Sequence, residues 1–200
     1  MSYIFCLMGK SSSGKDSVYQ RLLGDAKLGL RRLVIGTTRP IREGESDGEE
    51  YYFYTDEQFQ KLCEQGKIIE SRAYDTVHGI WNYFTVAQDE LDVAHQDYLT
   101  INTLEAYVKL RDYFGEKCLV PIYLEVEDGL RIQRALDRER AQAEPKYKEM
   151  CRRFLADEED FSKENLARER IEPIFWNVVL EETVAQVRDY ILTVQRHGRS

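Results

Sequence analysis

One short segment constrains this chain more than any other: Gly9-Lys10-Ser11-Ser12-Ser13-Gly14-Lys15, between an apolar run at residues 2–8 and an amphipathic one at residues 15–23. The first run predicts a strand and the second a helix, so the glycine-rich turn sits where a Walker A loop sits. Gly9 and Gly14 permit backbone geometry closed to other residues, and Lys10, Ser11, Ser12 and Ser13 carry the amides that converge on a phosphate at the helix N-terminus. Lys15 adds a mobile cation for the β- and γ-oxygens of a nucleotide. After it come Asp16 and Ser17, where the pattern ordinarily has a Ser or Thr that holds magnesium. A carboxylate is an acceptable hard ligand for that ion, yet it also sets a negative charge beside a polyphosphate.

Around this loop, short β-rich runs alternate with amphipathic helical ones, the signature of a mostly parallel sheet covered on both faces. Strands are expected at residues 2–8, 32–36, 97–101, 118–126 and 174–180. A helix carries Leu104, Tyr107 and Val108 and stops at Gly115. Asp128 is expected to cap another, with Ile132, Ala135 and Leu136 on one face and Arg131, Arg134 and Arg138 on another. A last helix carries Val184, Val187, Ile191 and Val194 inward. Two stretches interrupt the alternation. Residues 37–84, rich in Tyr, Phe and Thr, read as an inserted, partly antiparallel unit with strands at residues 51–54 and 67–74. Residues 138–170 are strongly charged and read as solvated helices forming a cover.

With 200 residues, 42% of them apolar, the chain has enough for one compact domain. Its net charge of -8 repels nucleic acid backbones and anionic membranes on average, so an anionic ligand must be held by local arginine clusters. No apolar run approaches the roughly 18 residues of a membrane span, and residues 1–8 do not form a signal peptide. Cys6, Cys63, Cys118 and Cys151 lack metal-ligand spacing and read as reduced cytosolic thiols that are buried or half-buried.

The second signal is Thr37-Thr38-Arg39-Pro40-Ile41-Arg42-Glu43-Gly44-Glu45, then Asp47-Gly48 and Tyr51-Tyr52-Phe53. Together with the upstream loop it resembles guanylate kinase, in which TTRxxRxGE and DGxxY elements bind the nucleoside monophosphate. The resemblance implies a P-loop NTPase three-layer α/β fold in a single domain: a core at about 1–36, 85–137 and 171–200, a monophosphate-binding subdomain at about 37–84 and a helical lid at about 138–170. It implies that Arg39, Arg42 and Tyr51 grip the GMP phosphate, that Glu70 in Ile68-Ile69-Glu70 reads the base, and that His78 or Tyr83 fills the role of the family's tyrosine. Arg134, Arg138 and Arg153 match its lid and base arginines. The sequence departs from the family in four places: Asp16; Ile35 for a serine; Thr100 and Asn102 for an aspartate pair; and no adenine-side asparagine near Leu180.

The resemblance further implies in-line transfer of the γ-phosphoryl group of ATP to GMP. Gly9 to Ser17 hold the donor, Asp16 and Ser17 face Mg2+, Lys15, Arg39, Arg134, Arg138 and Arg153 act on the moving group, and Asn102 joins Glu70 at the base. The expected partners are small-molecule nucleotides, with no nucleic acid and no membrane, in a cytoplasmic monomer or homodimer. Two alternatives stay open: a nucleotide-binding module without catalysis, and a kinase for another nucleoside monophosphate or phosphorylated metabolite.

Overall fold

The computed structural model describes residues 2–42, 44–76, 79–87 and 95–198. The central sheet is five-stranded and parallel, in the order β2-β7-β1-β8-β9. These strands are β1 (Ile4–Gly9), β2 (Arg31–Arg32), β7 (Tyr98–Ile101), β8 (Leu119–Glu125) and β9 (Ile174–Trp176). Every residue of β1 is buried, as expected of a strand covered on both faces. Its alternation divides the core into two layers. Ile4, Cys6 and Met8 pack with α3 (Leu104–Phe114), whereas Phe5 and Leu7 pack with α1 (Lys15–Leu23) and α7 (Leu180–His197).

Local signals set the ends of α3. Thr103 accepts the Ala106 amide at its start, and Gly115, at φ 89°, ends it. The last helix is pinned by a polar contact as well as by Val187 and Ile191: Gln195 Nε2 donates to Leu28 O at 2.9 Å and to Asp97 Oδ2 at 2.8 Å.

A second sheet, in the order β4-β3-β6-β5, hangs off the first. It comprises β3 (Gly36–Thr37), β4 (Tyr52–Phe53), β5 (Ile68–Thr76) and β6 (Gly79–Val86), with α2 (Asp56–Glu64) against it. Its own small core is Phe59, Phe84 and Val86, with Tyr54, Leu62 and Ile68 around them. Gly36 is fixed by this packing, because a Cβ there would lie 2.5 Å from the Phe84 ring. The remaining helices are α4 (Asp128–Arg140), α5 (Tyr147–Asp160) and α6 (Lys163–Arg168).

Several sequence expectations change. The strand expected at residues 32–36 is two strands in two sheets, since β2 pairs with β7 and β3 pairs with β4 and β6. Ile174–Trp176 is all that remains of the strand expected at residues 174–180, and α7 starts at Leu180. Glu127 rather than Asp128 caps α4 by accepting the Leu130 amide. Arg131, expected away from the packed face, is 1% exposed, while Ile132 is 43% exposed. The charged cover also reaches into the core, where Phe161 and Leu166 join the cluster containing Tyr123 and Leu110. Cys6 is buried and Cys118 half-buried, but Cys63 and Cys151 are exposed. No helix among the described residues is long and apolar enough to cross a membrane.

Candidate functional site

Parallel strands aim their carboxyl ends at one edge, where open α/β sheets bind ligands. The glycine-rich turn comes after β1, Asn102 after β7, and Asn177 after β9 at that edge. Within the turn, Ser12 has φ 64° and Gly14 has φ 82°, both left-handed, which is the backbone geometry of an anion-binding concavity. Gly14 is required twice over, since a Cβ there would also stand 2.5 Å from the Asn177 side chain. The hydroxyls of Ser12 and Ser13 are buried and have no hydrogen-bond partner among the described residues.

Asn177 braces this turn: its Nδ2 donates to Ser13 O at 2.7 Å, and Arg134 donates to Asn177 O at 3.2 Å. Asn177, three residues before Leu180, was not singled out in the sequence. The only signal for it was a polar residue closing an apolar strand. Asn177→Ala is expected to weaken the loop's hold on a phosphate ligand by about fivefold, the cost of one lost buried hydrogen bond, measured by calorimetric titration with ATP as the probe; an unchanged affinity would leave the brace without effect on the loop.

Lys15 opens α1. Desolvation around its ammonium, the largest influence, lowers its pKa; Asp16 and Asp157 oppose this, and Arg138 and Arg153 add to the lowering. Asp16 and Ser17 are exposed. Arg138 and Arg153 line a small cleft with Ser11, Arg131, Ala135, Met150 and Phe154. Arg153 also donates to Glu149 at 2.9 Å.

The loop after β3 carries the second cluster. Arg39 is 3% exposed and forks onto Glu45 at 2.7 and 2.5 Å, with its guanidinium 4.9 Å from the Tyr51 ring centre and 5.4 Å from that of Phe53. Tyr51 and Tyr83 lie edge to face at 5.6 Å, and Tyr74 adds a third ring at 5.5 Å from Tyr83. Arg42 gives its backbone N–H to Glu45, and its side chain is exposed. Arg39, Tyr51 and Tyr83 are thus brought together; His78 lies outside the described residues.

The hydrogen bonds from Arg39, first, and from the Arg42 backbone hold the Glu45 carboxyl down at about 2. A depressed acid of this kind stabilises the fold fully above its ordinary value near 4.5, and the contribution fades as pH falls toward 2. Glu45→Gln is expected to cost about 1 to 2 kcal/mol at pH 7 and to flatten that part of the acid limb of stability against pH, read by urea unfolding. An unaltered acid limb would mean that the pair contributes nothing.

Glu70 is 2% exposed, accepts the Thr85 hydroxyl at 2.8 Å and lies 3.3 Å from Arg72 Nε. Asn102, 4% exposed, donates to Thr100 at 3.2 Å, and its Oδ1 has no hydrogen-bond partner among the described residues. Arg72 and Thr85 were missed in the sequence, although Arg72 sits two residues from Glu70 on one strand and so shares its face. A cleft of about 610 Å3 is lined by residues of β5 and α3, Arg72 among them, and by Asn165 and Arg168, and by no residue of the glycine-rich turn.

A parallel α/β sheet with a left-handed glycine turn, followed at once by Lys15, at its carboxyl edge defines a P-loop protein. The guanylate kinase family model matches residues 2–104, and the chain belongs to that family. Guanylate kinase of Wolbachia sp. subsp. Brugia malayi (strain TRS) is 37% identical over 78 residues, 38% of this chain and 40% of that protein. Guanylate kinase 2, chloroplastic/mitochondrial, of Oryza sativa subsp. japonica is 28% identical over 137 residues, 68% of this chain and 46% of that one. The aligned regions thus span less than half the length of these curated relatives. Among solved structures, guanylate kinase from Anaplasma phagocytophilum superposes with a TM-score of 0.63 at 22% identity, covering 96% of this chain and 85% of that chain. A gluconokinase from Sinorhizobium meliloti 1021 gives 0.53 at 14% identity, covering 98% and 94%. At these identities the two structures speak for the fold alone.

Proposed function

We propose that this chain transfers the γ-phosphoryl group of ATP to GMP, giving ADP and GDP. The observation that carries the reading is the pairing of a lysine-closed phosphate loop with the Arg39-Tyr51-Tyr83 cluster in a chain of this family. In this scheme the loop amides and Lys15 hold the donor phosphates. Arg39, Arg42 and Tyr51 orient the acceptor phosphate, with the second sheet as the acceptor-binding unit. Arg134, Arg138 and Arg153, on α4 and α5, act as the arginines of a lid and offset charge on the moving group while water is kept out. No general base is required, since the attacking phosphate oxygen is already anionic.

Asp16 and Ser17 are adjacent, exposed, hard-oxygen donors, which suits magnesium completed by substrate phosphates and water. Bound there, magnesium would supply positive charge against that of the phosphates, with Asp16 and Ser17 as the residues that would hold it.

A second reading, a different acceptor, is favoured by the pairing of Glu70 with Arg72 and Thr85 and by the neutral Asn102. ADP release from ATP with magnesium, measured against a panel of purine and pyrimidine monophosphates and their deoxy forms, decides between them. Turnover confined to GMP and dGMP supports the first, and turnover with another acceptor replaces it. Tight GMP binding without turnover would make the chain a binding module.

A further inference from the structure

In α5, Asp157 and Glu158 turn toward the phosphate loop. Asp157 Oδ2 accepts the Ser11 amide at 2.6 Å and lies 3.6 Å from Arg131 Nη1. Glu158 receives Lys10 Nζ through both carboxylate oxygens, at 2.8 and 2.9 Å, and is also bonded by Arg131. Arg131 in turn is buried over the Phe154 ring, 4.0 Å from its centre. A carboxylate on a loop amide, close to Lys15, presents two anionic oxygens to the donors that a nucleotide phosphate would use. One amide proton cannot serve both, and two anions beside one lysine repel each other.

We propose that Asp157 is a built-in phosphate mimic: it caps the loop in the absence of nucleotide, with Lys10, Glu158 and Arg131 holding α5 in place, and nucleotide must displace it. The device sets donor affinity and ties loading of the loop to movement of the helix that carries Arg153. It rests on the reading of this loop as the donor phosphate site.

The test is calorimetric titration of metal-free ATP into the full chain and into Asp157→Ala, Asp157→Asn, Glu159→Gln and Lys15→Ala. Glu159 is exposed on the same helix and controls for the mere loss of a negative charge. The expected result is about tenfold tighter binding in Asp157→Ala, the release of one charge-assisted hydrogen bond. A smaller gain is expected in Asp157→Asn, which keeps the side chain's size should the alanine variant fail to fold, and a change within about twofold in Glu159→Gln. Equal or weaker binding in the Asp157 variants, or an equal gain in Glu159→Gln, overturns the mimic and leaves the loop as the nucleotide site. ATP binding that ignores Lys15→Ala, or is absent throughout, overturns the site assignment together with the mimic.

Discussion

Lys15→Ala is expected to lower kcat for ADP formation by about a thousandfold, the scale of removing one donor aimed at developing charge, while the Kd for GMP changes by less than about twofold. The asymmetry comes from where the residue sits. Lys15 is at the first turn of α1, after the left-handed Gly14, so it belongs to the glycine-rich loop; the Arg39-Tyr51-Tyr83 cluster, proposed to hold the acceptor, hangs on β3, β4 and β6 instead. Its surroundings disfavour an unbalanced cation, since desolvation lowers its pKa despite Asp16 and Asp157, so an anion brought beside it gains from the charge it neutralises. The backbone of the turn does not depend on its side chain: Ser13 N–H bonds to Lys10 O at 3.1 Å and Val18 N–H to Gly14 O at 3.1 Å. Thermal unfolding within about 4 °C of wild type is expected, because truncating a half-buried side chain outside the apolar clusters costs about 1 kcal/mol. Steady-state assay and calorimetry on one preparation separate the outcomes. Turnover retained within tenfold would remove Lys15 from the chemistry, and loss of GMP binding alongside turnover would point to a folding defect.

How much of the molecule was visible in the sequence depends on the range of the interaction. The turn at residues 9–15 was legible because glycine spacing, the preceding apolar run and the succeeding helix are all local. Residues 39–45 were legible as a motif, but not the inward fork of Arg39 onto Glu45, which depends on three-dimensional packing over Tyr51 and Phe53. The strand pattern failed at residues 32–36 because an apolar run says nothing of which sheet each half joins. Asn177 and Ser13 are 164 residues apart. No periodicity links positions so distant. Arg131 shows a different limit: helical phase assigns charged positions to solvent, and only the acidic residues brought in by α5 reverse that.

Arg131→Met is expected to destabilise the fold far more than Ile132→Ala, its neighbour on α4. The methionine keeps much of the side chain's length and its contact with the Phe154 ring but deletes the charge shared by Glu158, Asp157 and Asp128. Afterwards Glu158 retains Lys10 and Asp157 retains the Ser11 amide, so neither is orphaned. Two neighbouring carboxylates are left with one cation fewer. Because neither carboxylate is orphaned and the Glu158 side chain is 36% exposed, the cost falls below that of breaking a fully buried pair, at about 2 kcal/mol. At about 2 to 4 °C per kcal/mol for a chain of this size, the expected fall in Tm is roughly 4 to 8 °C. Ile132→Ala, at an exposed site, is expected to cost about 0.5 kcal/mol. Helical phase puts the apolar Ile132 and the charged Arg131 on different faces, and side-chain polarity alone would rank the two the other way. Urea unfolding of both variants therefore discriminates directly: a larger loss in Ile132→Ala, or an Arg131→Met as stable as wild type, would mean that the carboxylates of α5 do not rest on Arg131.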